Sequence, residues 1–371
     1  MSSVDSADEG WQDGTDPEVV PLQVRAAFEV LSESGAKFFV RPLSGGLLHQ
    51  SFHVRSEVGD FVLQRVSEVF SPAIHDNIEA VTRHLSAHSI PTTRLVPASG
   101  GALYAELGGL GRWRLMQHLG GASFDRLESA SQARSAGALV GRFHSAMRDF
   151  SGRLAPMGIP YRDTPRYVAS MRNSVKCYPD HRLAEPMTQL AEKICGAFEE
   201  LGEPPNVGAR VIHGDLKLSN LLFEGPSAPE SERAFALVDL DTLMQAPLWV
   251  ELGDAWRSWC NLTGEDGAGP SFDLDAFEAS LAGFVEGYAE RLEVGEADSL
   301  ETAPERITLE LATRFVTDAF EETYWGWDPR EFETRGDHNA ARALGQWHLY
   351  EAMCAVRRDR TAILQSVLGS I

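Results

Sequence analysis

Cysteine is scarce in this 371-residue chain. Cys177, Cys195, Cys260 and Cys354 stand far apart, with neither a C-x-x-C pair nor a Cys/His spacing suited to zinc. Free, buried thiols in a reducing cytoplasm are the expectation. Positive charge is also short: 33 Lys and Arg face 54 Asp and Glu, giving a net charge of −21 and a pI near 4.9. That balance argues against a nucleic-acid partner, because a phosphate backbone is bound by a basic surface. It leaves room for one small anion in a local basic or Mg²⁺-lined pocket. Long apolar runs are missing as well. No stretch approaches the ~18 residues of a membrane helix, and no basic N-terminus leads into an apolar segment, so neither a membrane span nor a signal peptide is expected.

What remains is an ordinary globular composition, 43% hydrophobic, long enough for two domains. Residues 1–18 carry six acidic and no basic side chains and read as a disordered acidic tail. From Pro21, "PLQVRAAFEVLSE" has helical spacing. "AKFFVRPL", "QSFHVRSE" and "DFVLQRV" read as short strands, the last two joined by the hairpin turn "SEVGD". "SPAIHDNIEAVTRHLSAH" reads as a helix with Ser71 as N-cap and Pro72 in its first position. "TRLVPA", "GALYAEL" and "RWRLMQHL" read as further strands. "SASQARSAGALVGRFHSAMRDF" is a strong helix, and helices dominate again after Ala276; between them lie the strands "NLLF" and "FALVDLD". The order predicts an α+β, bilobal enzyme with a small antiparallel β lobe over residues 19–117, a larger mainly helical lobe over 118–371, and a site in the cleft between them.

One stretch concentrates chemistry. "VIHGDLKLSNLLF" (Val211 to Phe223) packs His213, Asp215, Lys217 and Asn220 between apolar flanks, and "LVDLDT" follows with Asp239 and Asp241 just after an apolar strand. Carboxylate and carboxamide oxygens converging from adjacent loops suit Mg²⁺, which takes few protein ligands and fills its shell with phosphate oxygens and water. Asp215 is then free to accept a proton from an attacking hydroxyl, and Lys217 to meet a transferring phosphoryl group. Capping of a β-hairpin is the plain alternative; the full H-G-D-x-x-x-x-N, followed by apolar-Asp-x-Asp at hairpin distance, is too specific for it.

"HGDLKLSN" with "VDLDT" resembles the catalytic core of the aminoglycoside phosphotransferase/choline kinase superfamily, relatives of protein kinases. The resemblance implies a bilobal protein-kinase-like fold from about Pro21 onward, and use of ATP and Mg²⁺. It implies Asp215 as catalytic base with Lys217 as phosphate contact, Asn220 and Asp239 as metal ligands, and a structural His213; Asp241 is either a second metal contact or a brace. On the nucleotide side the resemblance points to Gly45 and Gly46 in "SGGLLHQS" over the phosphates, although the loop is not G-x-G-x-x-G. Kinases carry a phosphate-anchoring lysine on the following strand. "FVLQRV" has none: Arg65 has the charge, while Gln64 holds the slot by parity. Glu79 is the helix partner by position. "RLMQHLGG" resembles the hinge, with Met116 as an apolar wall and backbone groups of Gln117 to Leu119 for adenine.

Three ordered matches resemble N-acetylhexosamine 1-kinases: "FVLQRVSEVFSPAIHDNIEAVTRHL", "VDLDTLMQAPLWVELGDAWR" and "ELATRFVTDAFEETYW". They imply phosphorylation of a hexosamine, at the anomeric hydroxyl, with Arg314 and Tyr324 as sugar contacts and Arg257 as a brace of the metal loop. In that family an acidic residue of an N-D-T-Y run helps hold the sugar; here Gln50 of "HQSF" stands in its place, able to bind a hydroxyl but not to supply charge. Asp254, Glu321, Glu322 and His338 are further polar candidates. The alternatives are a kinase of another small alcohol (aminoglycoside, choline, homoserine) and a non-catalytic kinase-like binding protein. The expected partner is a small molecule, and the expected state a cytoplasmic monomer or homodimer.

Overall fold

The computed structural model describes residues 10–32, 35, 37–43, 48–225, 232–263, 269, 271–293 and 295–369. The chain splits into two compact units. Met1–Arg83, Thr92–Gly120 and Ala155–Ile159 form the first; His84–Pro91, Gly121–Leu154 and Pro160–Ile371 form the second.

The first unit contains β1 (Gln12–Asp13), α1 (Leu22–Ser32), β2 (Phe38–Leu43), β3 (Gln50–Ser56), β4 (Gly59–Val66), most of α2 (Ile74–Ala87), β5 (Ala105–Glu106) and β6 (Arg112–Gln117). The strands make one antiparallel sheet in the order β1-β2-β3-β4-β6-β5. Side chains alternate between faces, and directly opposed residues share one. Phe38, Val40, Val54, Leu63, Trp113 and Leu115 all lie on one face and form a core with Val24, Ala27, Phe28 and Leu31 of α1. The other face carries the rows Arg41–His53–Val62–Met116 and Ser51–Gln64–Arg114.

Several expectations change here. The end of the acidic segment is part of the sheet: Gln12 and Asp13 pair with Val40 and Phe39. Trp11 explains it, with its ring edge-on to His53 at 4.8 Å and the guanidinium groups of Arg55 and Arg41 over it at 4.5 and 4.9 Å. "TRLVPA" pairs only briefly with β6: Leu95 bridges Met116, the Val96 N–H donates to the Leu115 carbonyl at 2.8 Å and the Arg94 carbonyl accepts from the Gln117 N–H at 3.0 Å, and Pro97, which has no N–H, follows directly. "GALYAEL" is reduced to Ala105–Glu106. Helix α2 starts at Ile74, after a turn in which the Ser71 hydroxyl accepts from the Ala73 N–H at 3.3 Å.

The second unit holds α3 (Ala130–Ala146), α4 (Thr164–Cys177), α5 (Ala184–Leu201), β7 (Ala209–Ile212), β8 (Leu221–Phe223), β9 (Ala234–Leu237), β10 (Met244–Pro247), α6 (Leu248–Trp259), α7 (Leu274–Tyr288), α8 (Glu296–Ser299), α9 (Ala303–Glu321), α10 (Arg335–Ala355) and α11 (Arg357–Leu368). Helix α3 starts at Ser129, whose hydroxyl accepts from the Gln132 N–H. Helices α4, α5 and α6 and the pair β7–β10 go beyond the sequence reading. For α5 the signal was present: Met187, Leu190, Ala191 and Ile194 repeat at i, i+3, i+4, i+7 and are buried. Helices α3 and α7 approach backbone to backbone. A Cβ at Gly137 would lie 1.9 Å from the Ser280 carbonyl oxygen, and one at Gly283 1.9 Å from that of Arg134. All four cysteines are free, but only Cys260 is fully buried, and Cys177, closing α4, is exposed. Among the described residues no helix is long and apolar enough to cross a membrane.

Candidate active site

One face of α6 holds the loop after β7. Glu251, Asp254 and Ser258 stand at i, i+3 and i+7, and each accepts from loop backbone. Glu251 takes the N–H of His213 at 2.8 Å and of Gly214 at 2.9 Å; Asp254 takes that of Leu216 at 2.8 Å; Ser258 takes that of Leu218 at 3.1 Å. Trp259 donates its indole N–H to the Leu216 carbonyl at 2.8 Å. Arg257 bonds Asp254 Oδ1 at 3.2 and 3.3 Å and so braces the loop through that carboxylate. Gly214 has φ +84°, and a Cβ there would lie 2.6 Å from the Thr242 carbonyl oxygen, so the turn requires glycine.

His213 is fully buried. Its Nε2 lies 2.9 Å from the Val238 carbonyl, and its Nδ1 accepts from the Asp215 N–H at 3.3 Å. The second bond makes Nδ1 the acceptor, so the proton sits on Nε2. His213 thereby ties its loop to the residue before Asp239. Pairing of β8 with β9 does the same from the other side: Leu221 opposes Leu237, and the Val238 N–H donates to the Asn220 carbonyl at 3.0 Å. Asp239 follows in a left-handed conformation, φ 62°.

The Asp215 carboxylate takes the Asn220 amide at 3.1 Å, and Lys217 Nζ lies 3.6 Å away. Burial pushes this carboxyl up; Lys217, then Arg162, His213 and Arg257, outweigh it and hold it at about 2. Asn220 spends its amide nitrogen on Asp215, which leaves its carbonyl oxygen as the atom suited to a cation. Carboxylate oxygens of Asp239 and Asp241 lie within 4.8 Å of one another. Carboxylate oxygens so placed suit Mg²⁺.

Arg162 escaped the sequence reading. It lies in an irregular stretch, with φ +56°, where neither strand nor helix spacing marks it. Its guanidinium donates to the Gly214 carbonyl at 2.7 and 3.2 Å and pairs with Asp254 at 2.9 Å and Glu310 at 3.4 Å. Next to it the Tyr161 ring lies between two guanidinium groups, Arg162 at 5.0 Å and Arg314 at 5.5 Å. Arg314 is also over Tyr167 at 5.1 Å, Tyr324 at 5.5 Å and Trp325 at 4.8 Å. The structure thus brings Arg314 and Tyr324 together, with Tyr161, Tyr167 and Trp325 completing an aromatic box that Arg314 fills. Buried Asp318 fixes the Tyr324 turn by accepting from the backbone N–H groups of Thr323, Tyr324 and Trp325, each at 2.8 Å. Glu321 accepts from Ser174, and His338 Nδ1 from the Asp328 N–H.

In the first unit, Gly45 and Gly46 lie outside the described residues. Gln64 is buried and engaged at both ends: its Nε2 donates to the Ser51 hydroxyl at 2.8 Å, and its Oε1 accepts from Arg114 Nε at 2.8 Å and from Nη2. Arg65 points to the α1 side, beside its cross-strand partner Gln50, with its guanidinium against Gly111. Glu79 meets neither β4 residue named for the phosphates; it takes Arg83 at 2.8 Å and lies 3.5 Å from Arg94. Met116 is half-buried on the Val62 row, Gln117 is exposed and Leu119 half-buried.

Residues 40–294 match the phosphotransferase enzyme family. A homoserine kinase of Zymomonas mobilis is 22% identical over 216 residues, which are 55% of this chain but only 62% of that relative. Among solved structures, a microcompartment-associated aminopropanol kinase superposes with a TM-score of 0.56 at 17% identity, over 87% of this chain and 94% of its own. An amicoumacin kinase in complex with AMP-PNP and Ca²⁺ gives 0.56 at 13%, over 84% and 88%. Identities this low speak for the fold, and the α+β kinase-like fold expected from the sequence is borne out.

Proposed function

We propose, because this chain belongs to the phosphotransferase enzyme family, that it transfers the γ-phosphate of ATP to a hydroxyl of a small molecule, and that the acceptor is a neutral sugar. The observation that carries the transfer is the loop itself: Asp215, Lys217 and Asn220 interlocked at 2.8 to 3.6 Å on a backbone held by α6. Asp215 orients the acceptor hydroxyl and takes its proton. A carboxylate held near 2 is a weak base, which fits a reaction whose loose transition state asks for positioning more than for early proton removal. Asn220 and Asp239 would hold Mg²⁺, which supplies charge neutralisation on the phosphates. Lys217 sits where a cation can meet the transferred group.

The filled aromatic box supports a neutral acceptor. An ammonium or quaternary ammonium ligand is recognised by such a box; here Arg314 already occupies it. A polyol offers acceptors to the Arg314 guanidinium and a face to the rings. The first reading is an N-acetylhexosamine phosphorylated at its anomeric hydroxyl, with Arg314 and Tyr324 as contacts. The second is homoserine, favoured by the Zymomonas relative and by the fit of an arginine to an α-carboxylate.

The test is Mg-ATP consumption against N-acetylhexosamines, neutral hexoses, homoserine, choline and an aminoglycoside. Preference for an N-acetylhexosamine is expected. Homoserine in first place selects the second reading, and choline or an aminoglycoside in first place overturns the argument from the box. ATP binding without turnover on any acceptor makes the chain a non-catalytic binding protein.

A further inference from the structure

The first unit lacks the strand lysine, yet it places a cation beside the vacant slot. Arg114 is 1% exposed, on β6, directly opposite Gln64 of β4. Its guanidinium reaches across the strands and donates to Gln64 Oε1 through Nε at 2.8 Å and through Nη2. A guanidinium only donates, so the Gln64 carbonyl must face Arg114 and its NH₂ must face away. That NH₂ donates to the hydroxyl of Ser51, the next residue of the row, at 2.8 Å. Having accepted there, the Ser51 hydroxyl turns its own proton elsewhere. All bonds of the row run in one direction, from a buried positive charge to a half-buried hydroxyl at the start of β3.

We infer that this row, Arg114 to Gln64 to Ser51, replaces the strand lysine: Ser51 donates to a phosphate oxygen of the bound nucleotide, and Arg114 is the positioning residue whose charge polarises that donor through Gln64. The inference rests on the kinase reading above. Gln64 contributes no charge, so the Arg114–Gln64 pair keeps the single positive charge that a lysine would bring. Aligned hydrogen bonds in a low-dielectric interior strengthen one another, and a hydroxyl at the end of such a chain is a better donor to an anion than an isolated one. The row lies on the face opposite α1, together with Val62 and Met116, the apolar residues next to the strand that leads to the expected hinge.

The experiment compares affinities for ATP and for adenosine, which has no phosphates, by direct titration of the full chain. Ser51→Ala and Arg114→Met are each expected to weaken ATP about tenfold, the scale of one hydrogen bond to a charged group, with adenosine affinity unchanged. Arg114→Lys is expected to retain more ATP affinity than Arg114→Met. The double variant should bind ATP no more weakly than Ser51→Ala alone, because both changes break one chain. Ser51→Ala removes a single half-buried hydroxyl and keeps the test sound if Arg114→Met fails to fold. An ATP-to-adenosine ratio in Ser51→Ala equal to that of the unmodified chain overturns the inference, and so does strict additivity in the double variant. Failure of the unmodified chain to bind Mg-ATP overturns the kinase reading itself.

Discussion

The two units hold their polar groups in opposite ways. In the second, side chains of α6 grip the backbone of the Asp215 loop. Glu251, Asp254 and Ser258 each take an N–H, and the side chains of Asp215 and Lys217 are left partly exposed beyond that frame. In the first, Ser51, Gln64 and Arg114 hold one another, side chain to side chain, across three strands. A backbone frame fixes whatever residue occupies the loop; a side-chain row exists only while each member keeps its chemistry. The second unit should therefore tolerate substitution of Asp215 or Lys217 with its fold intact and lose function sharply. The first should answer to single changes in both stability and affinity.

Asp215→Asn tests the frame most severely. Turnover of the proposed transfer should fall by about 10²–10⁴-fold, the range for a positioned general base, while the thermal midpoint stays within a degree or two of the unmodified protein, about the scatter of surface substitutions. A matched loss of stability would mean that the loop side chains carry the frame. Glu251→Ala attacks the frame itself. It strands buried N–H groups of His213 and Gly214 and removes the carboxylate beside His144, 3.3 Å away, so denaturant unfolding should show a loss of about 3–5 kcal/mol. Gln64→Leu is the counterpart in the row. It deprives buried Arg114 of an acceptor and should cost about 1–3 kcal/mol. If Gln64→Leu costs as much as Glu251→Ala, the contrast between the units fails.

Two pH experiments sharpen the contrast. Lys217 is the largest influence lowering Asp215, whose carboxyl titrates at about 2. Lys217→Met should raise it, so the acid limb of kcat/KM moves to higher pH in the variant; an unmoved limb removes Lys217 from that role. In the first unit, burial and then His118 hold His53 at about 4 against an ordinary 6.5; Asp60 opposes them, and Arg41 and Arg55 add to them. The unfolded chain binds the proton below about 6.5 and the folded chain only below about 4. The stability linked to neutral His53 is thus complete above 6.5 and lost as pH falls through that window. His53→Phe keeps a ring against Trp11 and His118 and should flatten the thermal midpoint between pH 6.5 and 4.

The same contrast explains what was legible in the sequence. His213, Asp215, Lys217 and Asn220 fall within eight consecutive positions, so the loop reads directly as a motif. Its supports do not: Glu251 and Asp254 lie 37 or 38 residues from the amides they hold, and only the phase of α6 brings them there. The row is harder still. Gln64 is 13 residues from Ser51 and 50 from Arg114, and strand register alone makes them neighbours. Seen singly, Gln64 looked like an occupant of the phosphate-anchoring slot, with Glu79 as the helix partner. The sheet instead commits Gln64 to Ser51 and Arg114, while Glu79, on α2, meets Arg83 and Arg94. Arg162 carried no periodic signal, and its role follows from the Gly214 carbonyl it meets. The β2–β4 hairpins announce themselves by alternation, and α1 and α3 by 3.6-residue spacing; "TRLVPA" makes only a short pairing with β6, since Pro97 has no N–H to continue it.

The face of α6 also determines which kinds of genetic change the enzyme can survive. A helix advances about 100° per residue, so one codon inserted or deleted between Glu251 and Asp254 would rotate Asp254 and Ser258 away from the loop while leaving every residue of the His213–Asn220 motif untouched. Substitutions along α6 would be filtered one at a time, but a length change there would undo the loop's frame in one step. Insertions in this chain should accordingly be tolerated outside α6 far better than inside it.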